Sequence, residues 1–252
     1  MATTNIDTEW LRVLRPAVQP RMRLFCFPYA GAGPSVYRNW GPYLPASVEL
    51  VGVHYPGREA RASETPYADF GQLVNQLRGA ILPHLQEPFA FFGHSMGAYV
   101  SFALTRALKD LHGMQPEHLF LSGASAPHVP EARPIHGLPS RQFLTEVIRM
   151  NGIPKEVMAS PEMLSYLLPV LRADFTACEN FSDARTGSLC CPVTVFGGTR
   201  DPRVSREKIE GWRDYAESSI SIAMVEGDHF FLHEQKSLVL GNIARQLGIY
   251  LS

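Results

Sequence analysis

One stretch, Phe89 to Leu108, limits the possible fold more than any other: FAFFGHSMGAYVSFALTRAL. Phe89, Ala90, Phe91 and Phe92 suit a short strand buried on both faces. Val100, Ala103, Leu104, Ala107 and Leu108 then recur at helical spacing. Between the two runs lie Gly93, His94, Ser95, Met96 and Gly97, so a strand, a tight turn and a helix meet at Ser95. G-x-S-x-G on a strand-to-helix turn is the pattern of a nucleophile elbow, and the five-residue string is specific only in that setting. Both glycines have a steric reason, because so sharp a turn brings the flanking backbones too close for side chains. The turn exposes the Ser95 hydroxyl at a helix N-terminus, where free N–H groups and the helix dipole favour negative charge on a reacting oxygen.

The rest of the chain supplies the alternation that an elbow needs. Residues 1–20 form a polar lead with one apolar cluster, Trp10, Leu11, Val13 and Leu14, closed by Pro16 and Pro20. They are expected to pack on the domain without joining its sheet. Met22–Phe27 is the first strand, followed by a glycine-rich turn, and Val48–His54 is the second, followed by the turn residues YPGRE. Tyr67–Leu82 carries the one-sided stripe Phe70, Leu73, Val74, Leu77 and Ile81, which predicts a surface helix packed on a sheet. His118–Ser122 is a further strand and completes a β-α-β alternation, the signature of a mostly parallel sheet.

From Ala126 to about Leu189 the pattern changes to helical segments with no strand between them. One begins near Ser140 with Phe143, Leu144, Val147 and Ile148. Another is capped by Ser160 with Pro161 at its first helical position, and Pro169 is expected to kink it. Residues 126–189 therefore read as a helical lid inserted in one α/β domain spanning 1–252, with further core packing as the alternative reading. Pro192–Phe196 and Ser219–Val225 resume the sheet with a helix around Arg206–Tyr215 between them, and Ser237–Leu247 closes the chain as a helix.

Several function classes find no support. The 252 residues are 45% apolar and 19% charged with a net charge of −1, and no basic stripe with interleaved aromatics marks a nucleic-acid surface. The N-terminus has no apolar core of signal type, and no run of about 18 apolar residues occurs, so the expectation is a cytoplasmic protein without a membrane segment. Cys26, Cys178, Cys190 and Cys191 form no C-x-x-C pair, and Cys26, inside a strand, reads as a small buried hydrophobe. The nine histidines are scattered without H-E-x-x-H, so neither a metal nor another cofactor is expected. The turn Pro28-Tyr29-Ala30-Gly31-Ala32-Gly33 fits neither G-x-G-x-x-G nor a P-loop. Its small residues suit a different use, bringing backbone N–H groups toward the serine to receive an oxyanion.

A serine hydroxyl needs a base to take its proton, and the base needs a partner that fixes its tautomer. The chain order serine, acid, histidine is the one expected on this fold. Asp201 follows the strand after the proposed lid and His229 follows the last strand, and in a parallel sheet both loops open at the same edge as the elbow. Rival histidines are His94, inside the elbow itself, and His54, His118 and His128, which belong to or flank strands on other edges. Rival acids are Asp228, adjoining the base, and Asp174 and Asp183 in the proposed lid. Ser95, Asp201 and His229 are the candidate catalytic residues.

With these positions in view, the chain resembles the stand-alone type II thioesterases that accompany polyketide synthases and nonribosomal peptide synthetases. The marks are LFCFPYAGAG near the N-terminus, YPGRE at 55–59, GHSMGA at 93–98, LRADF at 171–175, FGGTRDP at 196–202 and GDHFFL at 227–232. The resemblance implies an α/β-hydrolase fold and an enzyme that clears stalled acyl groups from the phosphopantetheine thiol of acyl or peptidyl carrier proteins, acting as a monomer. It matches Ser95, Asp201 and His229 to a catalytic triad, and Ala30 and Met96 to backbone oxyanion donors. Three other readings compete: a dedicated chain-releasing thioesterase selective for one acyl-carrier intermediate, a non-catalytic protein that docks on a synthase, and an oxygen-ester hydrolase.

Overall fold

The computed structural model describes residues 6–129, 133–153, 155–184 and 189–251. Seven strands form one sheet: β1 (Leu11–Arg15), β2 (Met22–Phe27), β3 (Val48–Val53), β4 (Phe89–His94), β5 (His118–Ser122), β6 (Val193–Gly198) and β7 (Ile220–Val225), in the order β1-β3-β2-β4-β5-β6-β7. All neighbouring pairs are parallel except β1 with β3. The mostly parallel sheet expected from the β-α-β alternation is the one observed, in the α/β-hydrolase arrangement that the resemblance implied.

Strands β2 to β6 are buried along their whole length, which is why they read as continuous apolar runs. On β2 the side chains alternate between two layers. Phe25 and Phe27 pack with α1 (Phe70–Ile81) and α2 (Met96–His112), whereas Leu24 and Cys26 face Tyr37 and Trp40 of a 3₁₀ segment (Pro34–Tyr43) and the apolar side of the C-terminal helix. Each such fully buried phenylalanine contributes about 1.5–3 kcal/mol of transfer free energy. Helix α1 starts where Asp69 accepts from the Gln72 N–H at 2.8 Å, and α2 ends on Gly113 at φ 64.

Between β5 and β6 run α3 (Ser140–Arg149), α4 (Lys155–Met158) and α5 (Pro161–Glu179). Ser160 caps α5 by accepting from the Met163 N–H, with Pro161 in the first turn. The helix continues through Pro169 as one span to Glu179. Phe143, Val147, Ile153 and Leu171 make a small core of their own here, and Phe143 packs edge-on against Phe175. Of the stretch 126–189, residues 130–132, 154 and 185–188 lie outside the described ones. After β6 come α6 (Arg206–Glu210), a 3₁₀ turn (Gly211–Tyr215), β7, α7 (Phe231–Glu234) and α8 (Lys236–Leu251).

One expectation is overturned. The N-terminal lead does join the sheet: Leu11 pairs with Val53 and Val13 with Val51, antiparallel. Only Leu11 of β1 is fully buried, and Leu14 and Arg15 break the two-residue alternation that Leu11, Arg12 and Val13 begin, so this half-exposed edge strand carries no clear periodic signal. Arg15 ties it down further by donating to the carbonyls of Gly41 (2.6 Å), Leu44 (3.0 Å), Pro45 (2.6 Å) and Val48.

Candidate active site

Strand β4 ends at His94 and α2 begins at Met96, leaving Ser95 alone to make the turn at φ 54 and ψ −115. A non-glycine residue pays a steric penalty there, and such conformations gather at functional sites. The Ser95 N–H donates to the Ser122 carbonyl at 2.7 Å, which anchors the turn to β5. The elbow glycines are packed backbone to backbone. A Cβ on Gly93 would lie 2.1 Å from the Gly97 carbonyl oxygen, and one on Gly97 would lie 1.9 Å from that of Phe27.

The loops after β4, β6 and β7 meet at one rim of the sheet. His229 Nε2 lies 3.0 Å from Ser95 Oγ, and His229 Nδ1 lies 2.6 Å from Asp201 Oδ2. An ionised carboxylate only accepts, so Nδ1 carries the proton and Nε2 is left to receive the Ser95 hydroxyl proton. The Asp201 side chain is fully buried. Burial by itself would raise its carboxyl, but the hydrogen bond and charge of His229 and the N–H groups of Arg203 and Val204 outweigh that, and the net direction is down. The second carboxylate oxygen accepts those N–H groups at 2.9 and 3.1 Å, so Asp201 is fixed from both sides.

Ala30, in the turn after β2, and Met96, at the start of α2, both line the cleft over Ser95. Among the described residues neither amide N–H finds a backbone acceptor. The cleft occupies about 800 Å³ including its open mouth. Val147, Met150, Leu171 and Phe175 wall it on the side of α3 and α5, and Tyr29 and Phe230 stand at the sheet side. Tyr29, whose phenol burial pushes up to about 12, lies 3.1 Å through its hydroxyl from His233 Nε2 and packs edge-on against Phe230.

The rival candidates lie elsewhere. His94 is completely buried with Nδ1 2.8 Å from the Ser122 hydroxyl, and its ring sits 5.3 Å from that of His229. His54 bonds the Arg58 carbonyl, His118 the Thr194 hydroxyl and His128 the Tyr215 hydroxyl. Asp228 shapes its own turn by accepting the Phe230 N–H, and it also accepts from Asn151. Asp183 pairs with Arg106, and Asp174 with Arg58. That last pair joins two of the sequence blocks quoted above, YPGRE and LRADF, to which sequence reasoning assigned no chemistry. Their opposite charges were visible, but nothing in one chain links positions 116 apart. Among the described residues no three His, Cys, Asp or Glu side chains gather as a metal site requires.

A serine on a strained strand-to-helix turn, an imidazole beside it and a buried carboxylate behind define the α/β-hydrolase class. Within it the chain belongs to the thioesterase domain family, whose sequence profile matches residues 22–247, and it is a thioester hydrolase. It is 41% identical over 256 residues to the linear gramicidin dehydrogenase LgrE of Brevibacillus parabrevis, covering all of this chain and 97% of that one. It is 40% identical over 233 residues to the gramicidin S biosynthesis protein GrsT of Aneurinibacillus migulanus, covering 92% and 91%. Its fold is similar to that of BorB, a type II thioesterase from the borrelidin biosynthetic cluster, with a TM-score of 0.87, 29% identity and coverage of 98% and 100%.

Proposed function

We propose that this protein is a type II thioesterase of a nonribosomal peptide or polyketide pathway. In this reading it removes stalled acyl groups from the phosphopantetheine arms of acyl or peptidyl carrier proteins, working as a single chain in the cytoplasm. The observation that carries it is the hydrogen-bonded line from Ser95 through His229 to Asp201 at the floor of an apolar cleft, in a chain whose relatives are named for such pathways.

Ser95 attacks the thioester carbonyl as His229 takes its proton, and His229 returns that proton to the leaving pantetheine thiol. Water then repeats the cycle on the acyl-enzyme. Asp201 holds the tautomer and stabilises the imidazolium. The N–H groups of Ala30 and Met96 receive the oxyanion, each a contribution worth on the order of 10²–10³ in rate in comparable sites. Residues 126–189 act as the lid, and its α3 and α5 side chains form the wall against which the acyl chain lies. The word dehydrogenase in one relative's name has no counterpart in the turn after β2, where Val36 stands at the place of a third fingerprint glycine.

The test loads a carrier protein with acetyl, propionyl and longer acyl groups and follows their release by intact mass. Release by the wild type and none by Ser95→Ala is expected; equal rates reject the reading. A flat profile over chain length supports editing, and a steep optimum identifies dedicated chain release instead.

A further inference from the structure

The turn that carries Ala30 is held from outside the sheet by a buried ion pair. Gly31 takes φ 78, and its N–H donates to Asp174 Oδ2 on α5 at 2.7 Å. Arg58, in the turn after β3, grips the same carboxylate with both terminal nitrogens, Nη1 to Oδ2 at 2.8 Å and Nη2 to Oδ1 at 2.9 Å. Its Nε donates to the Pro56 carbonyl at 3.1 Å, so the guanidinium itself is fixed. The side chains of Arg58 and Asp174 are only 6% and 1% exposed. The next residue, Glu59, accepts from the N–H and the hydroxyl of Ser35 at 3.1 and 2.6 Å. Two consecutive residues of YPGRE therefore hold both flanks of the Ala30 turn, one directly and one through α5.

Stability alone does not explain this arrangement. Burying two charges costs desolvation that their attraction repays only in good geometry, and apolar residues of similar size usually serve stability as well or better. A leucine at 174 would fill the space, but it has no acceptor for the Gly31 N–H. Because a peptide unit is planar, fixing the Gly31 N–H fixes the plane that follows Ala30. Only the two dihedrals of Ala30 then remain between that plane and the Ala30 N–H. Gly31 also lies directly under α5, since a Cβ there would come within 2.6 Å of Leu171 Cδ2.

We propose that Arg58 and Asp174 are positioning residues for catalysis: through the Gly31 N–H they aim the Ala30 N–H at the carbonyl oxygen of a thioester bound over Ser95. The inference rests on the reading of Ser95 as nucleophile and Ala30 as oxyanion donor. It adds that the donor is aligned only while α5 is seated on the turn, so the segment that walls the cleft also completes the oxyanion site.

The test uses the full chain in the acyl-carrier release assay, with rates expressed per active site titrated to completion by a fluorophosphonate. Arg58→Met/Asp174→Leu removes both charges and leaves none buried alone. Arg58→Lys keeps the charge but not the two-pronged grip. In the double variant kcat is expected to fall by about tenfold to 10²-fold, a misaligned donor being worth less than an absent one, with KM within about threefold. Arg58→Lys is expected to lie between the double variant and wild type. A kcat per titrated site within about threefold of wild type in both variants, or a loss carried wholly by KM, overturns the proposal. If the double variant does not fold, Arg58→Lys decides by the same criterion. Ser95→Ala in the same assay separates the two levels: activity in that variant removes the underlying reading, whereas wild-type kcat in the charge variants removes only this inference.

Discussion

Asp201 Oδ2 and His229 Nδ1 stand 2.6 Å apart in a site where the Asp201 side chain has no exposure to solvent. That contact decides which ring nitrogen faces Ser95. In Asp201→Asn an amide NH2 directed at Nδ1 moves the ring proton to Nε2, which then has no lone pair for the serine. We expect kcat for carrier-bound acetyl to fall on the order of 10⁴-fold, with KM little changed and the fold intact by circular dichroism. A loss of only a few-fold would mean that another group orients His229.

Two glycines, one in the elbow and one in α1, offer a contrast. Gly97→Ala drives a methyl to 1.9 Å from the Phe27 carbonyl oxygen, and the neighbour is backbone that cannot swing away. Destabilisation of about 3 kcal/mol or more is expected from urea titration, or no soluble protein at all. Gly79→Ala, exposed in the last turn of α1 with nothing within 4 Å of its new methyl, is expected to stabilise by about 0.5–1 kcal/mol. Similar midpoints for the two variants would contradict the packing described.

Acid sensitivity follows from five histidines. Burial is the largest cause holding His54, His84, His94, His118 and His233 below their ordinary value, His118 at about 4 against 6.5. The unfolded chain takes up protons near 6.5 and the native chain only lower, so their stability is fully present above 6.5 and drains away as pH falls toward the folded values. His118 alone accounts for about 2 kcal/mol at pH 5. Urea midpoints at pH 7.5 and pH 5 measure the drop, and His118→Gln is expected to shrink it by that amount. An undiminished drop in the variant would assign the loss to other groups.

Met150 lines the cleft beside Phe175 and Val204. Met150→Trp is expected to shorten the space for an acyl chain, lowering kcat/KM for octanoyl by about tenfold relative to acetyl. Uniform loss across chain lengths would place Met150 outside the acyl path.

The legible parts of this molecule were those where local chemistry and tertiary position make the same demand. β4 and the elbow could be read because a strand buried on both faces must be apolar and a backbone-on-backbone turn must be glycine. Ser95, Asp201 and His229 could be singled out because parallel strands deliver their C-terminal loops to one rim, and the structure sets all three within hydrogen-bond reach. β1 escaped because an edge strand needs only one buried residue. The 3₁₀ segment at Pro34–Tyr43 escaped because its Pro42 and its irregular Asn39 break helical periodicity. The Arg58–Asp174 pair escaped because ion pairing leaves no mark on either local pattern. Pro169 lies inside the single span of α5, where the packed setting carries a residue that weakens an isolated helix.

The antiparallel first strand has a practical consequence for anyone trimming this chain. The family profile begins at Met22, and a fragment cut there would retain every strand of the parallel array while discarding β1 and the Arg15 clasp. The outer rim of β3 would then be bare: a row of unsatisfied amides and carbonyls, ready to template a foreign strand. Such a fragment should clump rather than simply weaken, so the leading segment belongs to the folding unit as a guard against self-association.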